Sequence, residues 1–377
     1  MRCRKIWLWM VPWLCMLPTL VAAETDPPSD EPIKQGTLVE PTQGPIVVLA
    51  DGGLLVARPT GITETKRRTG VLRTLSLDSG LFGKVQLPID RIAGILFQVP
   101  PGVEARDTAV AKLLGDLQAQ DRVTLVNGDQ LDGPILAIQN RQISVETSFG
   151  PTDLKTARIA SITFARPHTP NRTPPKPPLF FTGWSDGSRF PVAKMTKTPQ
   201  KQLQVWPYPT TRQPWTVAAD RFRFLQPLAQ KEIVYLSDLV PSEYQHTPFL
   251  DRKLPLGNDR NVLGRPLRAG GQLYPKGLGT ASRSKIIYPL DQPFSRFEAA
   301  LAIDDSTGGR GSVIFRVLLD GKLVYTSPTI RGGQKPVPIS IDTTDAKQLE
   351  LEVDYATQAD QLDHADWLDA RLKRGQN

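Results

Sequence analysis

Carboxylates recur in two places along the chain. Asp304 and Asp305 follow a strand-like run and precede Ser306-Thr307-Gly308-Gly309. That pattern can offer carboxylate and carbonyl oxygens to Ca²⁺, a hard cation that takes about six to eight oxygen ligands; otherwise it caps a loop. Asp363, Asp366 and Asp369 recur every three residues around Trp367. They can ligate a cation or orient a polar ligand, or they form a structural turn with Trp367 in the core. Trp184, Trp206 and Trp215 are possible stacking platforms, because C–H faces pack on indole. Their position inside a small β unit favours core packing.

Other chemistries are absent from the pattern. His168, His246 and His364 lie in unrelated contexts, so a three-His metal site is excluded. Gly277-x-Gly279 lacks the third glycine and the helix of a dinucleotide fingerprint. There is no pair of carboxylates arguable as acid and nucleophile for glycoside hydrolysis. The 2 cysteines, Cys3 and Cys15, lie in an N-terminal segment that reads as a bacterial export signal. Arg2, Arg4 and Lys5 are followed by an apolar run from Ile6 to Leu20 and by Val21-Ala22-Ala23. Cleavage there removes both thiols and lowers the net charge from +8 to +5. Disulfide frameworks and Cys-ligated metals are then excluded. No transmembrane anchor remains, since the run is shorter than the roughly 20 continuous apolar residues of a span. Export also argues against nucleic acid as a partner, despite a sequence pI near 9.4. The one basic cluster, Lys66-Arg67-Arg68, reads as a solvated loop tip.

The elements that position these residues are β-strands. The 377 residues include 35 Pro and 29 Gly, which disfavours long helices and wide parallel sheets. A self-similar segment occurs three times. Each copy opens on an Asx-Gly turn: Asp51-Gly52, Asn127-Gly128, Asp186-Gly187. Each closes on Arg and a large apolar residue, with a second apolar residue three positions on: Arg91-Ile92…Ile95, Arg158-Ile159…Ile162, Arg221-Phe222…Leu225. Short runs of period two between turns predict small antiparallel units, loosely SH3-like or Sm-like barrels. Val110, Leu113, Leu114 and Leu117 have helical spacing. The expected order is a signal over 1–23, a Pro-rich leader over 24–45 and a first repeat over 46–100. A helical connector over 101–121, a second repeat over 122–166 and a Pro-rich linker over 167–178 follow. A third repeat over 179–228 and a longer β domain over 229–377 complete the chain. In that last domain Leu349, Leu351 and Val353 alternate with Glu350, Glu352 and Asp354, as in a two-sheet sandwich with one wet face.

The same domain resembles the NPCBM family of carbohydrate-binding-type modules. The resemblance rests on an ordered set: Lys276-Gly277-Leu278-Gly279-Thr280, Ser284, Tyr288, Phe297, Ile303-Asp304-Asp305, Gly311-Ser312-Val313, Asp320-Gly321, Leu349-x-Leu351-x-Val353 and Asp363-His364-Ala365-Asp366-Trp367. It covers about 235–373 and implies a galactose-binding-like jelly roll. It makes Lys276, Thr280, Ser282, Ser284, Asp363, His364, Asp366 and Trp367 the candidate carbohydrate-binding residues, with Asp304, Asp305 and Asp366 a candidate calcium set. Ala281 stands where the family often has His, and Ala302 where it often has Gly.

The sequence therefore reads as an exported, all-β, multi-domain protein: a C-terminal jelly roll preceded by three barrel-like repeats and one short helix. The function it implies is non-catalytic binding of glycans or polysaccharide at the cell envelope or outside the cell. The first alternative is an envelope scaffold that binds proteins and has a degenerate sugar site. The second is a glycoside hydrolase accessory protein with hidden activity.

Overall fold

The computed structural model describes residues 38–41, 43–68, 70–139, 141–166, 179–208, 213–229, 232–248, 253–357 and 361–375. The expected signal, most of the Pro-rich leader and the Pro-rich linker with His168 lie outside these residues. Apart from one α-helix and short 3₁₀ turns, the described elements are β-strands. No helix among the described residues is long and apolar enough to cross a membrane.

The three N-terminal segments repeat one turn at atomic detail. The glycines of the three Asx-Gly pairs have φ of 91° (Gly52), 93° (Gly128) and 87° (Gly187). The Asx side chain accepts from the amide two residues on: Gly53 to Asp51 Oδ1 at 2.9 Å, Asp129 to Asn127 Oδ1 at 3.2 Å, Ser188 to Asp186 Oδ1 at 2.8 Å. The closing arginines end three-residue 3₁₀ turns. Their carbonyls accept from Ala50 at 2.8 Å, Val126 at 3.0 Å and Ser185 at 2.9 Å. Sequence spacing and backbone bonding thus describe the same unit: a meander whose last strand returns beside its first.

The units do not close into separate barrels. Among the described residues their strands join one another. Ile92–Leu96 of the first pairs with Ile159–Thr163 of the second, and Leu54 pairs with Arg189 of the third. The result is one 11-stranded sheet, with two 3-stranded sheets beside it. One apolar core runs through all three units. Gly94 makes the first junction possible, because a Cβ there would lie 2.2 Å from the Ile162 carbonyl oxygen. Phe82 makes the second. It inserts from the first unit among Trp184, Phe190 and Trp215 of the third, with ring centroids 5.2, 5.6 and 5.3 Å away. Trp184 and Trp215 are therefore core residues. Trp206 is half-buried, with Lys194 Nζ 4.9 Å from its ring centroid. In the third closing strand Phe224 is the buried residue, while Phe222 and Leu225 are only half-buried.

The helix Val103–Gly115 packs Val110 and Leu113 on Ile46, Val48, Leu54, Ala93 and Leu96. Leu117 lies beyond the helix and is half exposed. The buried face of the helix also carries Arg106 and Asp107, which its apolar spacing did not indicate.

Residues from Ile233 onward form two facing 6-stranded sheets. In the first, Gly277–Ala281, His364–Arg374, Phe294–Ile303 and Val337–Asp342 are neighbours. In the second, Glu243–His246, Ser284–Pro289, Gln348–Tyr355, Ser312–Leu319 and Lys322–Thr326 are neighbours. Leu278, Phe297, Leu301 and Trp367 of one sheet meet Tyr288, Phe315, Val317 and Leu351 of the other. Fully burying a large side chain of this kind contributes about 1.5–3 kcal/mol. Leu349, Leu351 and Val353 face this core as their alternation predicts. Glu350 departs from the expected wet face: it is buried, and its carboxylate lies 3.3 Å from Lys285 Nζ.

Candidate functional site

The candidate residues fall at three levels of the sandwich. The first level is the interior. Thr280 is fully buried and its hydroxyl donates to the Ala365 carbonyl at 3.0 Å. Trp367 is fully buried, edge-on to Phe315 with centroids 4.8 Å apart. Ser284 is buried and its hydroxyl has no partner among the described residues. These side chains support the sandwich and have no surface to offer a ligand.

The second level is a buried polar layer over the outer face of the first sheet. Asp366 lies in the ladder between Gly279 and Ala302, two small residues that leave room above them. The chain before the strand fills that room, since a Cβ on Gly279 would lie 2.3 Å from the Arg260 carbonyl oxygen. Asp304 accepts from Asn261 Nδ2 at 2.9 Å, from the Ser306 amide at 3.0 Å and from the Arg268 amide at 3.0 Å. Its oxygens are thus turned toward N–H donors. Burial, with Asp304 and Asp305 nearby, pushes the Asp366 carboxyl well above the usual carboxylate range. Both Asp366 carboxyl oxygens are buried and meet no N–H or O–H donor among the described residues, and a side-chain hydrogen bond with Asp304 is among the causes of the rise. Asp305 accepts from the amides of Gly270 at 3.0 Å and Gly271 at 2.8 Å, so it caps the neighbouring hairpin. Asp304, Asp305 and Asp366 therefore do not point at a common centre. Among the described residues no group of three His, Cys, Asp or Glu side chains is arranged to hold a metal ion.

The third level is the loop end of the sandwich, where Ser282, Asp363 and His364 come together. The Ser282 amide donates to the Asp363 carbonyl at 3.3 Å, and the Asp363 carboxylate accepts from the Ser312 amide at 2.7 Å. The Asp304 amide donates to the His364 carbonyl at 2.9 Å. Ser312 Oγ donates to the Thr357 carbonyl at 2.8 Å, and the Gly332 amide donates to the Gly311 carbonyl at 3.1 Å. Four separate loops are thus fixed to one another by their backbones. His364 is directly opposite Ala281 in the ladder. Side chains at such a pair share one face of the sheet with Cβ atoms about 4.5–5.5 Å apart. An imidazole is therefore present across from the position where the family motif often carries one. His364 is half-buried, and the same loop end carries exposed Arg283, next to Ser282, exposed Tyr355, opposite Val313, and exposed Thr357 and Arg331, both bonded or paired to Ser312. Arg283 lies 6.0 Å from the Tyr355 ring centroid, and Arg331 Nη1 donates to Thr357 Oγ1 at 3.4 Å. These four were not singled out from the sequence, because isolated loop residues carry no periodicity.

Lys276 belongs to none of these levels. It precedes the strand Gly277–Ala281 and Ser282 follows it, so the two lie at opposite ends of the sandwich. Lys276 Nζ donates to Asp238 at 2.7 Å and Asp259 at 2.8 Å, and lies 5.3 Å from the Tyr235 ring centroid. Burial by itself would lower the ammonium, but Asp259 and Asp238 outweigh it and hold the group above its ordinary value.

Comparison with known proteins finds matches over the C-terminal part of the chain. The family model described as NPCBM/NEW2 domain matches residues 232–373. A protein of Renibacterium salmoninarum named for endo-alpha-N-acetylgalactosaminidase activity is 37% identical over 109 residues, which is 29% of this chain and 7% of that protein. Alpha-1,3-galactosidase B of Akkermansia muciniphila is 34% identical over 119 residues, 30% of this chain and 15% of that protein. The matches thus span only a small part of either curated relative. Among solved structures, the CBM51 module of Clostridium perfringens GH95 in complex with methyl-galactose is 26% identical, with coverage of 37% of this chain and 99% of that one and a TM-score of 0.34. From Ile303-Asp304-Asp305 to the closing Trp367 strand, motif, sandwich and family match coincide: residues 232–373 of this chain are an NPCBM/NEW2 domain.

Proposed function

We propose that the protein is an exported, non-catalytic carbohydrate-binding protein that acts at the cell envelope or outside the cell. Its glycan site is the loop end around Ser282, Asp363 and His364. The observation that carries the reading is the convergence of these residues, within a matched NPCBM/NEW2 domain, on a loop cluster fixed by its own backbone hydrogen bonds. A fixed cluster loses little freedom when a polyol binds. His364 supplies an imidazole for a sugar hydroxyl, and the exposed Tyr355 ring supplies an apolar face of the kind that packs on sugar C–H groups. Both curated relatives are named for glycosidases of α-linked galactose-type sugars, which makes galactose and N-acetylgalactosamine the first ligands to test. Only a small part of either relative is matched, so their hydrolytic activity is not carried over. The test is a glycan array probed with the full chain. Saturable binding to a defined set of glycans is expected, with no sugar released; a blank array overturns the reading.

A further inference from the structure

The N-terminal repeats and the NPCBM/NEW2 domain enclose a groove of about 1150 Å³. Its walls include residues 84–88 of the first repeat, one side of the helix, residues 207–208 and 213–215 of the third repeat, and residues 258–260 and 273–276 of the module with Asp238. The size exceeds that of ordinary small-molecule pockets, about 300–1,000 Å³, and suits a chain of several sugars.

Two features make the groove a built site. First, its walls are held in place. Glu40, Arg106, Asp107, Arg189 and Arg268 come from the leader, the helix, the third repeat and the module, and form one network with N–O separations of 2.5 to 4.0 Å. The groove therefore exists before a ligand arrives. Second, its lining combines apolar faces with convergent polar groups. Tyr208 and Tyr274 are half-buried ring faces on opposite components. Asp238 and Asp259 flank the buried Lys276 ammonium, each with spare oxygen lone pairs for hydroxyl donors. Arg260 reaches the first repeat: its Nη2 would lie 3.4 Å from a Cβ on Gly52.

We infer that this groove is a second glycan site, shaped for an oligosaccharide rather than a single sugar, and that the N-terminal repeats exist partly to form its far wall. The ligand class rests on the carbohydrate-binding reading above; the groove itself does not. An extended peptide fits less well. Gly83–Pro88 and Trp215–Ala218 are edge strands along the groove, but Pro88 ends one and Pro214 precedes the other, removing N–H donors that a ladder needs.

The test is calorimetric titration of the full chain with methyl α-galactoside and with a galactose-terminated tetrasaccharide, in wild type, Asp238→Asn and Tyr208→Ala. Asp238 is 49% exposed and Asn still accepts from Lys276, so the first variant keeps the fold; unchanged melting is checked for both. Two tetrasaccharide sites are expected in wild type and one for methyl α-galactoside. Each variant weakens the second tetrasaccharide site about tenfold. A single tetrasaccharide site indifferent to both variants overturns the groove proposal and leaves the loop-end site standing. Binding of neither probe overturns both. A single tetrasaccharide site, with a proline-rich peptide captured by wild type and lost in both variants, makes the groove a peptide slot and also overturns the proposal.

Discussion

Arg268 of the NPCBM/NEW2 domain and Asp107 of the helix, 161 positions apart, form a bidentate ion pair in which both side chains are buried, with Nη2–Oδ1 at 3.2 Å. The pair joins the module to the repeats through charge rather than apolar area. Removing Asp107 leaves Arg268 to share the single Glu40 carboxylate with Arg106 and Arg189, whereas removing both partners keeps the original balance of charge. Asp107→Ala is therefore expected to destabilise the full chain by about 3–5 kcal/mol. The double variant Asp107→Leu/Arg268→Met is expected to be clearly more stable than Asp107→Ala. Denaturant unfolding followed by tryptophan fluorescence checks both.

Glu40 gives the same junction an acid-sensitive component. Burial would raise its carboxyl, but Arg189, Arg268 and Arg106 together pull it down from 4.5 to about 2. A folded-state value below the unfolded one stabilises the fold above pH 4.5, and this contribution disappears as the pH falls toward 2. Its ceiling is roughly 3 kcal/mol. Glu40→Gln should be less stable than wild type at neutral pH and should lose less on acidification. Melting temperatures measured from pH 7 down to pH 3 test this.

Asp366 has the opposite sign. Its carboxyl is raised by burial and by Asp304. That contribution is complete below the ordinary value of 3.8 and is lost as the pH rises through the elevated folded-state value. Asp366→Asn keeps a donor toward Asp304 and cannot ionise, so its stability should not decline over that range while that of wild type does. Equal pH slopes for the two proteins would contradict the elevated Asp366 value.

The three Asx-Gly turns provide an internal control. Their φ values agree within a few degrees, but their surroundings differ. A Cβ on Gly128 would meet nothing within 4 Å, whereas one on Gly187 would lie 2.3 Å from the Pro41 nitrogen. Gly128→Ala should cost only the left-handed strain, about 1–2 kcal/mol. Gly187→Ala should cost that plus the overlap, about 3 kcal/mol or more. Thermal unfolding of the two variants measures the difference.

Features with local causes were legible in the sequence. The Asx-Gly turns need only four residues to declare themselves, and the alternation of Leu349, Leu351 and Val353 marks their face directly. The ordered motif set located the module. The joining of three units into one sheet was not legible, because pairing such as Ile95 with Ile162 leaves no periodic trace. The burial of Arg106 and Asp107 was not legible, since nothing local reveals partners 66 to 161 positions away. The candidate site was partly legible. Ser282, Asp363 and His364 do converge, but Lys276 and Trp367 were grouped with them by motif proximity, and strand direction and alternation send one to the far end and the other into the core.

The central claim is that His364 and its neighbours at the loop end bind a glycan. The most direct measurement is a calorimetric titration of the full chain and of His364→Ala with the strongest glycan from the array, after both show the same melting temperature. Saturable binding by wild type, weakened about tenfold or more in the variant, is the predicted result. Undiminished binding by His364→Ala would contradict it.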